Sequence, residues 1–185
     1  MSPPAAAHRP SLRDDILEST LELARTGAAI SLESAARATG ITKPGLMYHF
    51  PTKEALMTAV VDHLMDGYER DLQDRLGADP TAPSATERLI AYLDWVCEGR
   101  FDSGDLVMFA DPRLRDTLTS RWNERISPWV AVPDSLPATR RARLHGVRLI
   151  ADGMWFNAAG NGLPLSDSDR AAVRALAHQL IEGTS

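Results

Sequence analysis

Apolar residues recur at intervals of three and four along most of the chain, a spacing that places them on one face of an α-helix. Three short helices are predicted before residue 50, because each apolar segment begins with a good N-cap residue and is followed by a helix-ending residue. The predicted spans are 11–25, 31–39 and 42–49, with Ser11, Ser31 and Thr42 as N-caps and Gly27, Gly40 and Pro51 at the ends.

A long fourth helix is predicted to begin after Thr52 and to end near residue 76. Its apolar stripe consists of Met57, Val61, Leu64, Met65, Tyr68 and Leu72. The segment that follows, residues 78–86, contains two prolines and marks a boundary in the chain.

Five further helical segments are predicted beyond this boundary. They begin at Ser84 or Thr86, cover 101–110, run from 111 toward 129, and occupy 138–159 and 166–182. No segment alternates between apolar and polar residues as a strand does, and no internal repeat is visible. The pattern therefore predicts an all-α protein with about nine helices.

Composition narrows the class of protein. Of the 185 residues, 44% are hydrophobic and 24% are charged, which is typical of a globular domain. The single cysteine, Cys97, excludes an internal disulfide and a cysteine zinc cluster, and its place on an apolar stripe favours a buried, inert thiol. No stretch is apolar enough to span a membrane, and the first ten residues, with three prolines, are expected to form a disordered tail rather than a signal peptide. A cytoplasmic protein is expected.

Charge is distributed unevenly. The net charge is −5, yet residues 1–53 hold six basic and five acidic side chains, so the remainder carries −6. An acidic body has little general affinity for nucleic acid. Any contact with DNA would therefore be confined to the N-terminal part of the chain.

Residues 31–56 have the arrangement of a helix-turn-helix unit. A helix of about eight residues is followed by a turn that contains Gly40 and then by a second short helix, which in such units lies in the major groove of DNA. The spacing alone is not decisive, because short helix-glycine-helix corners also occur in many helical proteins that do not bind DNA.

The second helix of this unit departs from ordinary helix preferences. Lys43 lies at the positive N-terminal end, where a cation is unfavourable, and Gly45 lowers helix stability. Pro44 is tolerated because it falls in the first turn. The polar aromatic residues Tyr48 and His49 precede the predicted anchor Phe50. A face that contacts DNA phosphates and base edges accounts for all of these departures.

The whole segment is more specific than its spacing. Gly40-Ile41-Thr42, then Leu46-Met47-Tyr48-His49-Phe50, then Lys53-Glu54-Ala55-Leu56 make residues 11–60 similar to the DNA-binding domain of the TetR family of bacterial transcriptional regulators. Met47 stands where many members have a tyrosine that contacts phosphate. The resemblance implies DNA contacts from Ser31, Thr42, Lys43, Pro44, Gly45, Tyr48, His49 and Lys53.

The resemblance also implies an architecture. Residues 11–56 would form the DNA-binding domain and residues 57–185 a helical domain for ligand binding and dimerisation, with the fourth helix as connector. The last two helices would pair with those of a second copy, and their apolar stripes give the predicted dimer interface: Val147, Ala151, Met154, Trp155, Val173, Leu176 and Leu180. Gly146, Gly153 and Gly160 recur every seven residues and favour close approach of a helix.

The same resemblance implies a pocket for a small apolar or aromatic ligand. The large apolar residues of the C-terminal domain that are candidates for its lining are Trp95, Met108, Phe109, Trp122, Trp129 and Trp155. Each of these residues is also a candidate for the ordinary core, since aromatic and methionine stripes at helical spacing commonly pack internally.

The function expected from this resemblance is that of a repressor released from a near-palindromic operator by a small molecule, acting in the cytoplasm at the nucleoid. A DNA-binding protein without a ligand is one alternative, and a helical-bundle enzyme is another. No two of the five histidines have metal-ligand spacing on one helix, and no phosphate-binding glycine loop follows a strand. No cofactor, metal or catalytic residue is therefore predicted.

Overall fold

The computed structural model describes residues 11–77, 79 and 82–183, and in this part of the chain all regular structure is helical. Eight α-helices and one 3-10 helix are present there, which confirms the predicted fold class. The α-helices are α1 (Leu12–Arg25), α2 (Leu32–Thr39), α3 (Lys43–His49), α4 (Lys53–Leu76), α5 (Ala85–Glu98), α6 (Arg115–Val130), α7 (Ala138–Ala159) and α8 (Asp167–Glu182); the 3-10 helix (Ser103–Phe109) lies between α5 and α6. The predicted tail, residues 1–10, lies outside the described residues.

Side-chain caps fix most of these helix starts. Ser11, Ser31, Thr42, Thr52, Ser84 and Ser166 each accept a hydrogen bond from a backbone N–H in the first turn of the helix that follows. The helix bounds predicted from N-cap residues therefore agree closely with the structure.

The region between α5 and α6 differs from its prediction. The apolar segment near residue 105 forms a 3-10 helix that Asp102 caps, and α6 begins at Arg115 rather than at Asp111. Asp111 begins a turn instead of the helix: its carboxylate accepts from the Arg113 N–H at 2.9 Å and pairs with Lys53, and its carbonyl accepts from the Leu114 N–H at 3.1 Å.

The helix α4 joins the two ends of the molecule. It packs on α1 of the N-terminal part and on α5, α6 and the 3-10 helix of the C-terminal part. Its two residues Leu56 and Leu72, sixteen positions apart, are both fully buried. The buried apolar residues form one continuous cluster from α1 to α8. Because this core is closely packed, a shift of α4 would displace side chains at both ends of the protein.

Ion pairs connect the helices of the C-terminal part. Arg125 on α6 contacts three carboxylates of α4, from Asp62, Asp66 and Glu69, at 2.7 to 3.2 Å. Asp94 on α5 similarly joins α8 through Arg174 at 2.8 Å. No helix of the described residues is long and apolar enough to cross a membrane.

Candidate nucleic-acid interface and ligand cavity

The corner between α2 and α3 is a helix-turn-helix. The chain turns at Gly40, whose φ of 74° is left-handed and favours glycine, and the Gly40 N–H bonds the Arg37 carbonyl at 3.2 Å. Thr42 then caps α3 by accepting from the Gly45 N–H at 3.2 Å. A β-carbon on residue 45 would lie 3.2 Å from this Thr42 oxygen, so glycine keeps the cap compact.

Two apolar side chains hold α3 in place. Leu46 in the middle of the helix is fully buried, and Phe50 at its end is also buried. The Arg13 guanidinium of α1 lies 5.2 Å from the centre of the Phe50 ring, so the start of α1 packs over the end of α3. The helix is therefore anchored along one face while the opposite face is free.

The free face carries the residues that the sequence predicts for DNA contact. Ser31, Thr42, Lys43, Pro44, Gly45 and Tyr48 are exposed, and His49 is half-buried. Tyr48 is 88% exposed and its ring meets the His49 ring edge-on at 5.4 Å. Met47, in the place of the usual tyrosine, is exposed as well. Seven of the eight predicted contact residues thus lie at one end of the molecule, around the start of α2 and the outer side of α3.

Lys53, the eighth, is differently placed. Its Nζ lies 2.5 Å from the Asp111 carboxylate, beyond the 3-10 helix, and this lysine holds the pKa of Asp111 below its ordinary value. The pair links the first turn of α4 to the C-terminal part of the protein. Lys53 therefore has an internal partner that the sequence did not reveal, 58 positions away.

A cavity of about 480 Å³ lies between α6 and α7 and extends to Tyr92 on α5. Trp122 and Trp155 form one wall, with ring centres 5.3 Å apart and planes inclined by 37°. Ile126, Val130, Leu149, Gly153 and Phe156 complete the apolar lining. The volume and the aromatic wall are typical of sites that bind small apolar molecules.

The polar groups of the cavity centre on Asp152. Its carboxylate accepts from the Tyr92 hydroxyl at 3.0 Å and from Arg148 at 3.2 Å. Burial raises the pKa of Asp152, although both partners favour its charged form, and burial also raises the pKa of Tyr92. Asn123 is a further polar residue of the lining. These groups give an otherwise apolar cavity a means of orienting a ligand.

Comparison with known proteins decides the family. A family model described as the C-terminal domain of tetracyclin repressor-like proteins matches residues 86–182, which is more than half of the chain. The chain belongs to the TetR family of transcriptional regulators. The match covers the part that the N-terminal motif does not, so the two observations are independent. TetR-family proteins are DNA-binding regulators rather than enzymes, act in the cytoplasm and form dimers.

Solved structures of TetR-family regulators share the fold. A member from Streptomyces coelicolor A3, SCO1917, is 21% identical with a TM-score of 0.61, over 93% of this chain and 99% of that one. A regulator from a Rhodococcus species is 18% identical with a TM-score of 0.59, over 93% and 97%. The multidrug binding protein EbrR, solved with ethidium, is 20% identical with a TM-score of 0.57, over 94% and 100%. No curated protein matches the sequence.

Only part of the predicted ligand lining reaches the cavity of this TetR-family protein. Trp122 and Trp155 line it, whereas Trp95, Met108 and Trp129 are buried in the core away from it, and Phe109 is exposed beside α1. The predicted lining therefore agrees with this cavity at two residues and differs from it at the other four. The sequence analysis did not predict four other residues of the lining, Tyr92, Ile126, Leu149 and Phe156.

The predicted dimer interface also needs correction on α7. Val147, Ala151, Met154 and Trp155 are buried in the protomer's own core, so little of their surface is left to contact a second copy. The residues on the more exposed side of this helix are Gly146, Leu149, Gly153 and Phe156, again spaced by three and four; the last three also line the cavity, so a partner packed on this side would border the cavity. A β-carbon at Gly146 or Gly153 would meet no atom within 4 Å.

On α8, the residues predicted for the dimer interface are accessible to a second copy. Leu176 and Leu180 are exposed and Val173 is half-buried. The exposed apolar residues of the last two helices, defined here as the outer face, are Leu149, Phe156, Leu176 and Leu180. This outer face replaces the inward stripe of α7 as the candidate dimer surface.

Proposed function

We propose that this TetR-family protein is a repressor whose dimer binds a near-palindromic operator and is released by a small molecule in the cavity between α6 and α7. It would act in the cytoplasm at the nucleoid. The observation that carries the proposal is the exposed side of α3, where Thr42, Lys43 and Tyr48 project from a helix anchored by Leu46 and Phe50.

We infer a contact role for each exposed group on this side. Lys43 and Tyr48 would donate to phosphates or base edges, and Thr42 and Ser31 would contact phosphates near the helix starts. Pro44 and Gly45 carry no long side chain, so the start of α3 can approach the bases closely. His49 would add a further donor. Lys53 would contact DNA only if a phosphate displaced the Asp111 carboxylate from its ammonium group.

The outer face of α7 and α8 would pair two protomers. A homodimer with two-fold symmetry places one recognition helix on each half-site, and half-sites lie about 34–36 Å apart, one turn of B-DNA. The apolar residues of the outer face are otherwise left in water, which supports burial against an identical copy.

Selection of duplexes from a random DNA library tests the DNA-binding proposal. We expect an inverted repeat whose half-sites are about one helical turn apart. Lys43→Gln should weaken binding to this repeat and lower the slope of log affinity against log salt by about 0.9, the effect of one phosphate contact. Arg70→Gln removes the same charge from an exposed position of α4 and should change neither.

Two results would contradict the DNA-binding proposal. One is the absence of any enriched duplex, and the other is an equal effect of Lys43→Gln and Arg70→Gln. The repressor role has its own test: a promoter that carries the selected repeat should be transcribed more when the regulator is deleted. A fall in transcription would identify an activator instead.

Ethidium tests the ligand proposal, because the aromatic wall suits a planar aromatic molecule and EbrR was solved with this compound. In the absence of DNA, ethidium fluorescence should rise saturably with protein. Trp122→Ala should weaken binding at least about fivefold, since an aromatic contact contributes about 1 kcal/mol beyond its buried area. Trp129→Phe alters a tryptophan outside the cavity and should have no effect.

An equal effect of the two tryptophan substitutions would contradict the assignment of the cavity as the ligand site. Release from the operator is best measured with tetraphenylphosphonium, an aromatic cation that does not intercalate into DNA. If it binds the protein and leaves operator affinity unchanged, the alternative of a DNA-binding protein without ligand control is favoured.

A further inference from the structure

A chain of buried hydrogen bonds begins at the wall of the cavity. The indole N–H of Trp155 on α7 donates to the hydroxyl of Tyr68 on α4 at 3.1 Å. The same hydroxyl donates to the carboxylate of Asp105 in the 3-10 helix at 2.5 Å. The other oxygen of Asp105 accepts from the backbone N–H of Asp102 at 2.6 Å. Three helices are thus connected from the cavity inward.

The far end of this chain contacts α1 of the DNA-binding domain. The Asp102 carboxylate lies 3.3 Å from Nε of Arg25, the last residue of α1. The Ser103 hydroxyl donates to the Arg25 carbonyl at 2.9 Å. A β-carbon on Gly104 would lie 3.0 Å from Cγ of Arg25, so the 3-10 helix approaches α1 as closely as a glycine permits.

The helix α1 extends this connection to the recognition helix. Arg25 is at its C-terminal end, and Arg13, near its N-terminal end, stacks on Phe50 at the end of α3. Between these ends α1 packs on α2, and its residues Leu17 and Leu21 are buried in the core. A displacement of the 3-10 helix would therefore reach α3 through a single rigid helix.

Burial makes the polar chain behave as a unit. Tyr68 and Asp105 are both buried, and burial raises the pKa of each, so the tyrosine remains a hydrogen-bond donor. A buried donor or acceptor that loses its partner costs about 1–3 kcal/mol. Movement of Trp155 must therefore either carry Tyr68 and Asp105 with it or leave a buried group unpaired.

We propose that the Trp155–Tyr68–Asp105 chain couples the state of the cavity to the position of the 3-10 helix, and through Gly104 and Arg25 to the DNA-binding domain. The inference rests on the proposed function, because it takes the cavity as the ligand site. A ligand that stacks on the tryptophan wall and moves Trp155 changes the hydrogen bonds of Tyr68. By linkage, the same coupling acts in reverse when DNA fixes α1.

Hydrogen exchange of the free protein tests the coupling without ligand or DNA. Trp155→Phe keeps an aromatic ring in the wall and removes the N–H that begins the chain. We expect faster amide exchange in residues 103–109 and in the last turn of α1, with α8 unchanged as an internal reference. Trp122→Phe makes the same change in the same wall, but among the described residues no hydrogen bond from this indole is found, so it should leave both segments unchanged.

Tyr68→Phe provides the second variant, because it removes the hydroxyl that both bonds share and retains the ring. It should reproduce the exchange pattern of Trp155→Phe, and the double variant should add less than the sum of the two. If Trp155→Phe does not fold, the comparison of Tyr68→Phe with Trp122→Phe carries the test alone.

The proposal is overturned if Trp155→Phe or Tyr68→Phe leaves residues 103–109 unchanged, or if Trp122→Phe accelerates them equally. It is also overturned if the effects of Trp155→Phe and Tyr68→Phe are simply additive. None of these results depends on ethidium or on an operator. A failure of the coupling is therefore distinguishable from a failure of the proposed function.

Discussion

Phe156 on the outer face of α7 offers a sharp test of how two protomers meet. The substitution Phe156→Glu places a charge where we expect a second copy to pack, and the side chain is already 55% exposed in the protomer. The fold should therefore tolerate the change while the dimer does not.

The expected loss follows from the area still exposed. A phenylalanine buries roughly 150–250 Å², so an exposed fraction of 55% leaves roughly 80–140 Å² for the partner, or about 2–3.5 kcal/mol at ~25 cal per Å². Because a two-fold interface contains Phe156 of both protomers, the loss is doubled to about 4–7 kcal/mol of association free energy. This corresponds to at least a ~1,000-fold rise in the dimer dissociation constant. The buried charge of glutamate adds to this loss.

Sedimentation equilibrium measures the association, and circular dichroism verifies that helicity is retained. Phe109→Glu is the matched control, because Phe109 is 41% exposed but belongs to the 3-10 helix, away from the outer face. Leu176→Glu tests α8 without altering the cavity lining. A Phe156→Glu protein that remains dimeric, or an equal loss in Phe109→Glu, would refute the assignment of the outer face.

Three other predictions follow from single contacts. Asp111→Asn removes the carboxylate that competes with DNA phosphate for Lys53. Fluorescence anisotropy should therefore show tighter operator binding with a steeper salt dependence. Weaker binding would show instead that the Lys53–Asp111 pair positions α4. Gly40→Ala meets no steric obstacle but must adopt a left-handed φ, so thermal unfolding should show a loss of about 1–2 kcal/mol. Asp94 is half-buried, and although burial raises its pKa, hydrogen bonds with Arg174 and His178 lower the pKa below the ordinary 3.8. The stabilisation that the charged Asp94 gives to the fold is therefore present above pH 3.8 and lost as the pH falls through the lowered pKa. The difference in unfolding free energy between wild type and Asp94→Asn should narrow in that window, and a difference that stays constant would contradict the pairing.

The helices and the DNA-binding corner could be predicted from sequence because local signals specify them. Ser31 and Thr42 cap their helices through neighbours three residues away, and Gly40 turns the chain without help from distant residues. The buried positions Leu46 and Phe50 follow from the same short segment. Exposure of the opposite side of α3 is then a geometric consequence.

The dimer surface and the cavity depend on which face of a helix meets the rest of the protein. The helix α7 has two apolar stripes, and the sequence does not indicate that Val147 and Trp155 face inward while Leu149 and Phe156 face outward. The partner of Lys53 is likewise set by packing over 58 positions. Trp95 and Trp129 are drawn into the core for the same reason, since large aromatic residues fill space wherever helices cross.

The close approach of Gly104 to Arg25 has a consequence for how this sequence can drift over evolutionary time. A side chain at position 104 would collide with the stem of Arg25 and with the Asp102 carboxylate. A larger residue there is compatible with this packing only if position 25 also becomes shorter. Among orthologues of this regulator, positions 25 and 104 are therefore expected to change together, although 78 residues of sequence separate the two segments.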